Sequence, residues 1–301
     1  MGGGSYSSDS RSVRATTAGF YTKSSGEIFK ERSLNNAMSP KGVKIRESRD
    51  SEEHPESVAI IIALDLTGSM GSIPLHLVKD GLPNIMGSII QRGLPDPQLM
   101  FLGVGDHECD RAPLQVSQFE SNDEMLDHWL TKVWLEGGGG GNEGESYLLA
   151  WYFAAKHTSI DCFEKRNKKG FLFTIGDEPT LMNIPIHDIK DIMGDGQYEK
   201  ISATTLLDMA REKYNVFHLH IKEGNGDSKR TIDGWKQLMG DKLIIVDHHE
   251  DVSKIIAETI LNNYVFEDKS KNKTSNNKIK TEETTTMEIV SNSSSTEDII
   301  L

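Results

Sequence analysis

The apolar run Val58-Ala59-Ile60-Ile61-Ile62-Ala63-Leu64 breaks off abruptly at Asp65-Leu66-Thr67-Gly68-Ser69. A run this short and unbroken reads as a strand buried on both faces, the kind found in parallel sheets. A helical pattern begins near Ile73, so Asp65, Thr67 and Ser69 fall where a strand ends and a loop begins. In open parallel sheets that edge is where ligands bind. Three oxygen-bearing side chains at alternate positions, turned back by Gly68, can converge on one hard cation. Magnesium prefers oxygen ligands in near-octahedral geometry and usually keeps several waters. A second buried-strand pattern, Phe171-Leu172-Phe173-Thr174-Ile175-Gly176, ends in Asp177-Glu178-Pro179.

The chain between these points alternates strand and helix patterns. Strands are expected at Val58–Asp65, Gln98–Gly105, Gly170–Gly176, Asn215–Ile221 and Leu243–Val246, with a short edge strand at Pro113–Gln118. Helices are expected at Ile73–Gln91, Asp123–Val133, from Glu145 through Ala155, at Ile186–Met193, Thr204–Lys213, near Thr231–Met239 and at Val252–Tyr264. Such alternation implies an α/β fold: a doubly wound, mostly parallel sheet with helices on both faces. Residues 51–266 make up this domain. Residues 1–50, rich in Gly, Ser, Arg and Lys, read as a disordered arm or as one that docks through Phe20, Tyr21 and Phe29. Residues 267–301 lack any periodicity and read as a disordered tail.

A third segment joins the two strand ends. Gly137 to Gly141 is an unbroken glycine run, followed by Asn142-Glu143-Gly144-Glu145-Ser146. Together the three segments resemble the von Willebrand factor A domain and its metal-ion-dependent adhesion site (MIDAS). That site combines an Asp-x-Ser/Thr-x-Ser loop, a Thr or Asp from a second loop, and an Asp after the fourth strand. Asp65, Thr67 and Ser69 match the first loop without a gap, and Asp177 matches the last position. One branch of the family has Gly-Gly-Gly-Asp-x-Pro-Glu in the middle, where this chain has Gly139-Gly140-Gly141-Asn142-Glu143-Gly144-Glu145. Asn142 thus stands where the acid would be. The resemblance implies a Rossmann-like fold, a magnesium or manganese ion at Asp65, Thr67, Ser69, Asn142 and Asp177, and a protein partner that offers an Asp or Glu. It also implies that the partner is an AAA+ ATPase or a multi-protein assembly. Relatives resembling this branch often carry an Asp at the end of the second strand, so the resemblance implies that Asp106 lines the site.

Other readings compete. Asp65, Thr67 and Ser69 are also good helix-capping residues, but capping leaves the glycine run and Asp177 unexplained. Asp65-Leu66-Thr67-Gly68-Ser69 further resembles the aspartyl-phosphate loop of haloacid-dehalogenase-type phosphohydrolases, with Asp65 as nucleophile and magnesium bridging the phosphate. Thr67 then stands where a second acid is needed. His107, Cys109 and Asp110 make a weaker zinc set, without paired Cys or His spacing. His218 and His220 share one strand face and read as core or surface histidines, and His248-His249 as a solvated loop.

Residues 51–266 carry 19 basic and 34 acidic side chains. An acidic domain disfavours binding to phosphate backbones, so no nucleic-acid partner is expected. The longest apolar stretch is far short of a bilayer span, and the first thirty residues lack the apolar core of a secretory signal. Two cysteines, Cys109 and Cys162, are too few for a disulfide framework. No membrane association and a cytoplasmic location are therefore expected.

Overall fold

The computed structural model describes residues 4–137, 144–223 and 226–264, all with side chains except Ser69. In chain order, α1 (Ser8–Ala18) and α2 (Ser25–Ile28) precede β1 (Arg46–Ser48). Next, β2 (Val58–Asp65) leads through a 3-10 turn, Gly68–Met70, into α3 (Ser72–His76). A π turn at Leu77–Gly81 joins α3 to α4 (Leu82–Gln91). Then come β3 (Pro97–Val104), β4 (Leu114–Val116), α5 (Asp123–Thr131), α6 (Leu148–Lys156), β5 (Thr158–Ile160) and α7 (Asp161–Glu164). The rest is β6 (Gly170–Gly176), α8 (Ile186–Met193), α9 (Ala203–Lys213), β7 (Tyr214–Ile221), α10 (Lys229–Met239), β8 (Leu243–Val246) and α11 (Val252–Asn263).

The central sheet has six strands in the order β4-β3-β2-β6-β7-β8. All neighbours are parallel except β4, an antiparallel edge strand on β3. Every residue of β2, β3 and β6 is buried, in keeping with their mostly apolar runs. Successive side chains along a strand point to opposite faces. Ala59, Ile61 and Ala63 of β2 pack in one cluster with α6, α9 and Trp235 of α10. Ile60, Ile62 and Leu64 therefore serve the other face, where α4 packs on α11 and α5 lies along β3. The expected α/β architecture, a doubly wound, mostly parallel sheet between helices, is the one the chain adopts.

Register aligns the strand ends that matter. Asp65 lies across from Val104, and Leu64 across from Ile175. Gly176 in turn lies across from His220. The carboxyl ends of β2, β3, β6 and β7 thus share one edge.

Three local features depart from the pattern read in the sequence. The helix expected from Glu145 begins at Leu148. Glu145 instead bridges Thr180: its N–H donates to the Pro179 carbonyl (2.9 Å), and the Leu181 N–H donates to its carbonyl (2.9 Å). The short parallel pair β1–β5 forms outside the main sheet. The helix expected over Ile73–Gln91 contains the π turn.

That π turn receives the N-terminal arm. Helix α1 is capped by the Ser7 hydroxyl, which accepts from the Ser10 N–H, and ends on Gly19 with φ 72°. Its Arg11 is buried and donates to the Val78 and Lys79 carbonyls inside the turn and to Asp127 of α5 (3.1 Å). Arg14 adds ion pairs to Asp123 (2.7 Å) and Asp127 (2.9 Å). Ala15, Ile28, Phe29 and Met38 are buried, whereas Tyr21 is exposed.

Candidate metal centre

Asp65 closes β2 and is 1% exposed. Its Oδ1 accepts from the Thr67 N–H (2.9 Å) and from the Thr67 hydroxyl (2.6 Å). This is the Asx-type turn an Asp makes when the chain bends two residues on. A hydroxyl that donates its proton to a carboxylate keeps its lone pairs for something else. Thr67 is thus prepared as an oxygen ligand.

Asp177 follows the last residue of β6 and is equally buried. Between it and Asp65 stands Gly176. A Cβ there would lie 1.8 Å from the Tyr147 hydroxyl oxygen and 2.7 Å from Asp65 Oδ2. Glycine leaves the space through which Tyr147 donates to Asp65 Oδ2 (2.6 Å). The Tyr147 ring is held edge-on by His218 (5.2 Å between centroids) and Trp235 (5.5 Å). His218 itself stacks on Trp235 (3.5 Å), and its Nδ1 lies 2.9 Å from the Thr174 hydroxyl. His220 Nε2 lies 2.7 Å from the Gly226 carbonyl. Both histidines are fully buried core residues. Burial, and then each other's proximity, holds the His218 imidazole far below its ordinary range, and burial lowers His220 as well. The site therefore rests on a neutral aromatic wall.

Two further carboxylates join Asp65 and Asp177. Asp106 sits just beyond β3, with Oδ1 accepting from the Glu108 N–H (2.9 Å). Glu145 comes from the segment before α6. Asp106 Oδ2 and Glu145 Oε2 are buried and have no hydrogen-bond partner among the described residues. Buried polar atoms in native proteins are nearly always partnered, so orphans of this kind ask for an ion or a water. Electrostatics says the same. Burial pushes Glu145 up to about 10, with Asp65, Asp106, Asp110 and Glu178 adding to it. Burial and then Asp177 raise Asp65 to about 6, against the pull of the Thr67 and Tyr147 hydrogen bonds. Tyr147 is raised well above its usual range by burial and then by Asp65.

These residues fit a hard divalent cation: hydroxyl and carboxylate oxygens, two of them orphaned, under mutual repulsion that a cation would relieve. They do not form a tight carboxylate cage. Among the described residues, only Glu223, His249 and Glu250 bring three His, Cys or acidic ligand atoms within 4.8 Å of one another. Of the five residues expected from the sequence, the structure brings Asp65, Thr67 and Asp177 to one edge. Asn142 and the Ser69 side chain lie outside the described residues. The zinc set at His107, Cys109 and Asp110 does not assemble: His107 Nδ1 is 2.8 Å from the Ser146 hydroxyl, and Asp110 Oδ2 accepts from the Asp106 N–H.

Glu145 and Tyr147 were missed in the sequence. Gly144-Glu145-Ser146 reads as a helix start, and an aromatic at helical spacing reads as core. The one available signal was Gly176, a glycine closing a buried strand, which marks a close approach.

No protein-family model matches the chain, and no curated protein matches it. Several solved structures are similar to it. The pilus adhesin SpaC from Lactobacillus rhamnosus GG matches at 13% identity and a TM-score of 0.46, over 73% of this chain and 31% of the adhesin. Proximal thread matrix protein 1 from the mussel byssus matches at 13% identity and 0.43, over 67% of this chain and 47% of that one. A second structure of the thread protein, with a zinc-occupied MIDAS motif, gives 0.42 at 13% identity. BatB from Bacteroides thetaiotaomicron matches at 16% identity and 0.40, over 68% of this chain and 98% of BatB. The chain thus spans about a third of the adhesin's length and about half of the thread protein's. Likenesses this distant assign no function to it. Among the described residues no helix is long and apolar enough to cross a membrane.

Proposed function

We propose that the chain is a protein-binding module whose Asp65 edge holds a divalent cation, magnesium or manganese, and offers it to a carboxylate of a partner protein. The observation that carries this reading is the pair of orphaned carboxylate oxygens, on Asp106 and Glu145, beside Asp65 and Asp177. Thr67, Asp65 and Asp177 would hold the ion, with Ser69 and Asn142 from the sequence motif. When bound, the cation supplies an electrophilic position that an incoming Asp or Glu can fill. Hydroxyls in the ligand set leave its charge under-neutralised, and that preserves its pull on an outside carboxylate. Asp65 and Tyr147 fix the Thr67 hydroxyl and exclude water from beneath the site. A cleft of about 920 Å3, lined in part by Glu178, Thr180, Met182 and Trp235, opens alongside and gives a partner segment room. An AAA+ ATPase or a multi-protein assembly in the cytoplasm is the partner setting that the sequence resemblance suggests.

The phosphohydrolase reading fares less well. Both Asp65 oxygens already accept hydrogen bonds, and the residue is 1% exposed, which suits a positioning carboxylate better than a nucleophile. Lys165 pairs with Asp161 (2.6 Å) and Lys169 donates to the Arg211 carbonyl (2.6 Å), both before β6 and so at the opposite sheet edge.

Water-proton relaxation by bound manganese tests the proposal. A short peptide carrying one aspartate should displace water from the ion and lower the relaxation enhancement. Its asparagine counterpart should not. Equal effects of the two peptides would overturn it.

A further inference from the structure

A second set of metal-binding side chains lies at the same sheet edge, beyond β7 and β8. Glu223 follows β7, and His248, His249 and Glu250 follow β8. One ligand atom each from Glu223, His249 and Glu250 falls within 4.8 Å of the other two. The arrangement is partly fixed in advance. Glu223 Oε2 accepts from the His249 N–H (3.2 Å) and lies 2.7 Å from His249 Nδ1. Glu250 Oε2 stands 3.5 Å from the same Nδ1, and His248 Nδ1 stands 3.5 Å from Glu223 Oε1. The His76 ring, at the end of α3, meets His249 edge-on at 6.2 Å.

Ordinary His–Glu hydrogen bonding explains part of this group. It does not explain two carboxylates converging on one imidazole nitrogen. A single Nδ1–H serves one acceptor well, and Glu223 at 2.7 Å stands nearer to it than Glu250 at 3.5 Å, so the two carboxylates compete for one proton. A cation shared by all three removes that conflict. The donor set also selects the cation. Magnesium and calcium take oxygen ligands, whereas imidazole nitrogen with carboxylate oxygens suits zinc.

We propose that Glu223, His249 and Glu250 form a zinc site, separate from the oxygen-only centre at Asp65, that clips the end of β7 to the start of α11. Three protein ligands leave a fourth position for water or for His248. The clip stands next to α3, the helix that continues from the Asp65 loop.

The test is equilibrium dialysis of the full chain against zinc at neutral pH with millimolar magnesium present, over wild type, Glu223→Gln, His249→Gln, Glu250→Gln and Asp65→Ala. Wild type and Asp65→Ala should each hold one zinc more than the three cluster variants, or bind it at least about tenfold more tightly. Glu250 is well exposed, so its variant keeps the fold. Cobalt in place of zinc should give the visible bands of a four-coordinate ion in wild type and lose them in His249→Gln. Equal zinc in wild type, His249→Gln and Glu250→Gln would overturn the assignment. So would loss of the tight zinc in Asp65→Ala alone, which would place the ion at the first centre.

Discussion

Glu145→Gln should stabilise the metal-free protein at neutral pH. Burial among Asp65, Asp106, Asp110 and Glu178 raises the Glu145 carboxyl from an ordinary 4.5 to about 10. Between those two values the folded chain holds a proton that the unfolded chain has released. Stability must then fall as pH rises, by about 1.4 kcal/mol per pH unit for one proton. From 4.5 up to pH 7 the loss amounts to about 3 kcal/mol. Glutamine has the same shape and no charge to desolvate, and its amide can donate to a neighbouring carboxylate. The variant should therefore be more stable than wild type at pH 7 in chelator, by up to about 3 kcal/mol, or roughly 6–12 °C in melting temperature for a domain of this size. Below about pH 4.5 the two should converge. The assay is thermal or urea unfolding of both proteins from pH 4.5 to 8.5 in chelator, read as the difference between them. Asp65, raised to about 6, adds its own fall in stability at lower pH, but equally in both proteins. A variant less stable than wild type at pH 7, or a difference that does not grow with pH, would show that Glu145 does not carry the repulsion. Magnesium should narrow the gap, because a ligand of the native state stabilises wild type.

Other perturbations probe neighbouring parts of the site. Tyr147→Phe removes the hydroxyl that serves Asp65 Oδ2 at 2.6 Å, and should cost about 1–3 kcal/mol in urea unfolding. Gly176→Ala drives a methyl into the Tyr147 hydroxyl; a loss of at least about 1–3 kcal/mol is expected, together with weakened metal binding in dialysis. Asp127→Ala strands the buried Arg11 guanidinium and should cost about 3 kcal/mol or more, seen as a lower urea midpoint. Asn142→Asp should tighten manganese yet weaken the aspartate peptide's effect on relaxation, since an added carboxylate neutralises the ion further.

Strands were the most legible part of the fold. Val58–Asp65 and Gly170–Gly176 are buried on both faces, and their mostly apolar runs are the pattern such a position favours. The placement of Asp65, Thr67 and Asp177 at one sheet edge was legible because each follows closely on the end of an apolar strand run. Glu145 was not. Its pairing with Thr180 depends on the 178–181 segment folding back, a contact between residues far apart in sequence. Tyr147 was hidden for the same reason, since its hydroxyl has meaning only once Gly176 is beside it. In the N-terminal arm, composition obscured local signals: Ser7 and Gly19 bracket α1 as cap and terminator, and Arg11 is buried because a π turn and Asp127 give it acceptors. His248 is exposed, as a solvated loop requires, whereas His249 is partly covered because its partner, Glu223, comes from the neighbouring strand's end.

Manganese binding to the full chain, followed by electron paramagnetic resonance of the free ion, tests the Asp65 centre most directly. Wild type should take up one manganese that magnesium displaces. Asp65→Ala and Asp177→Ala should lose that uptake while keeping a cooperative melt, and His249→Gln should keep it. Equal uptake by wild type, Asp65→Ala and Asp177→Ala would contradict a metal-dependent binding module at this edge.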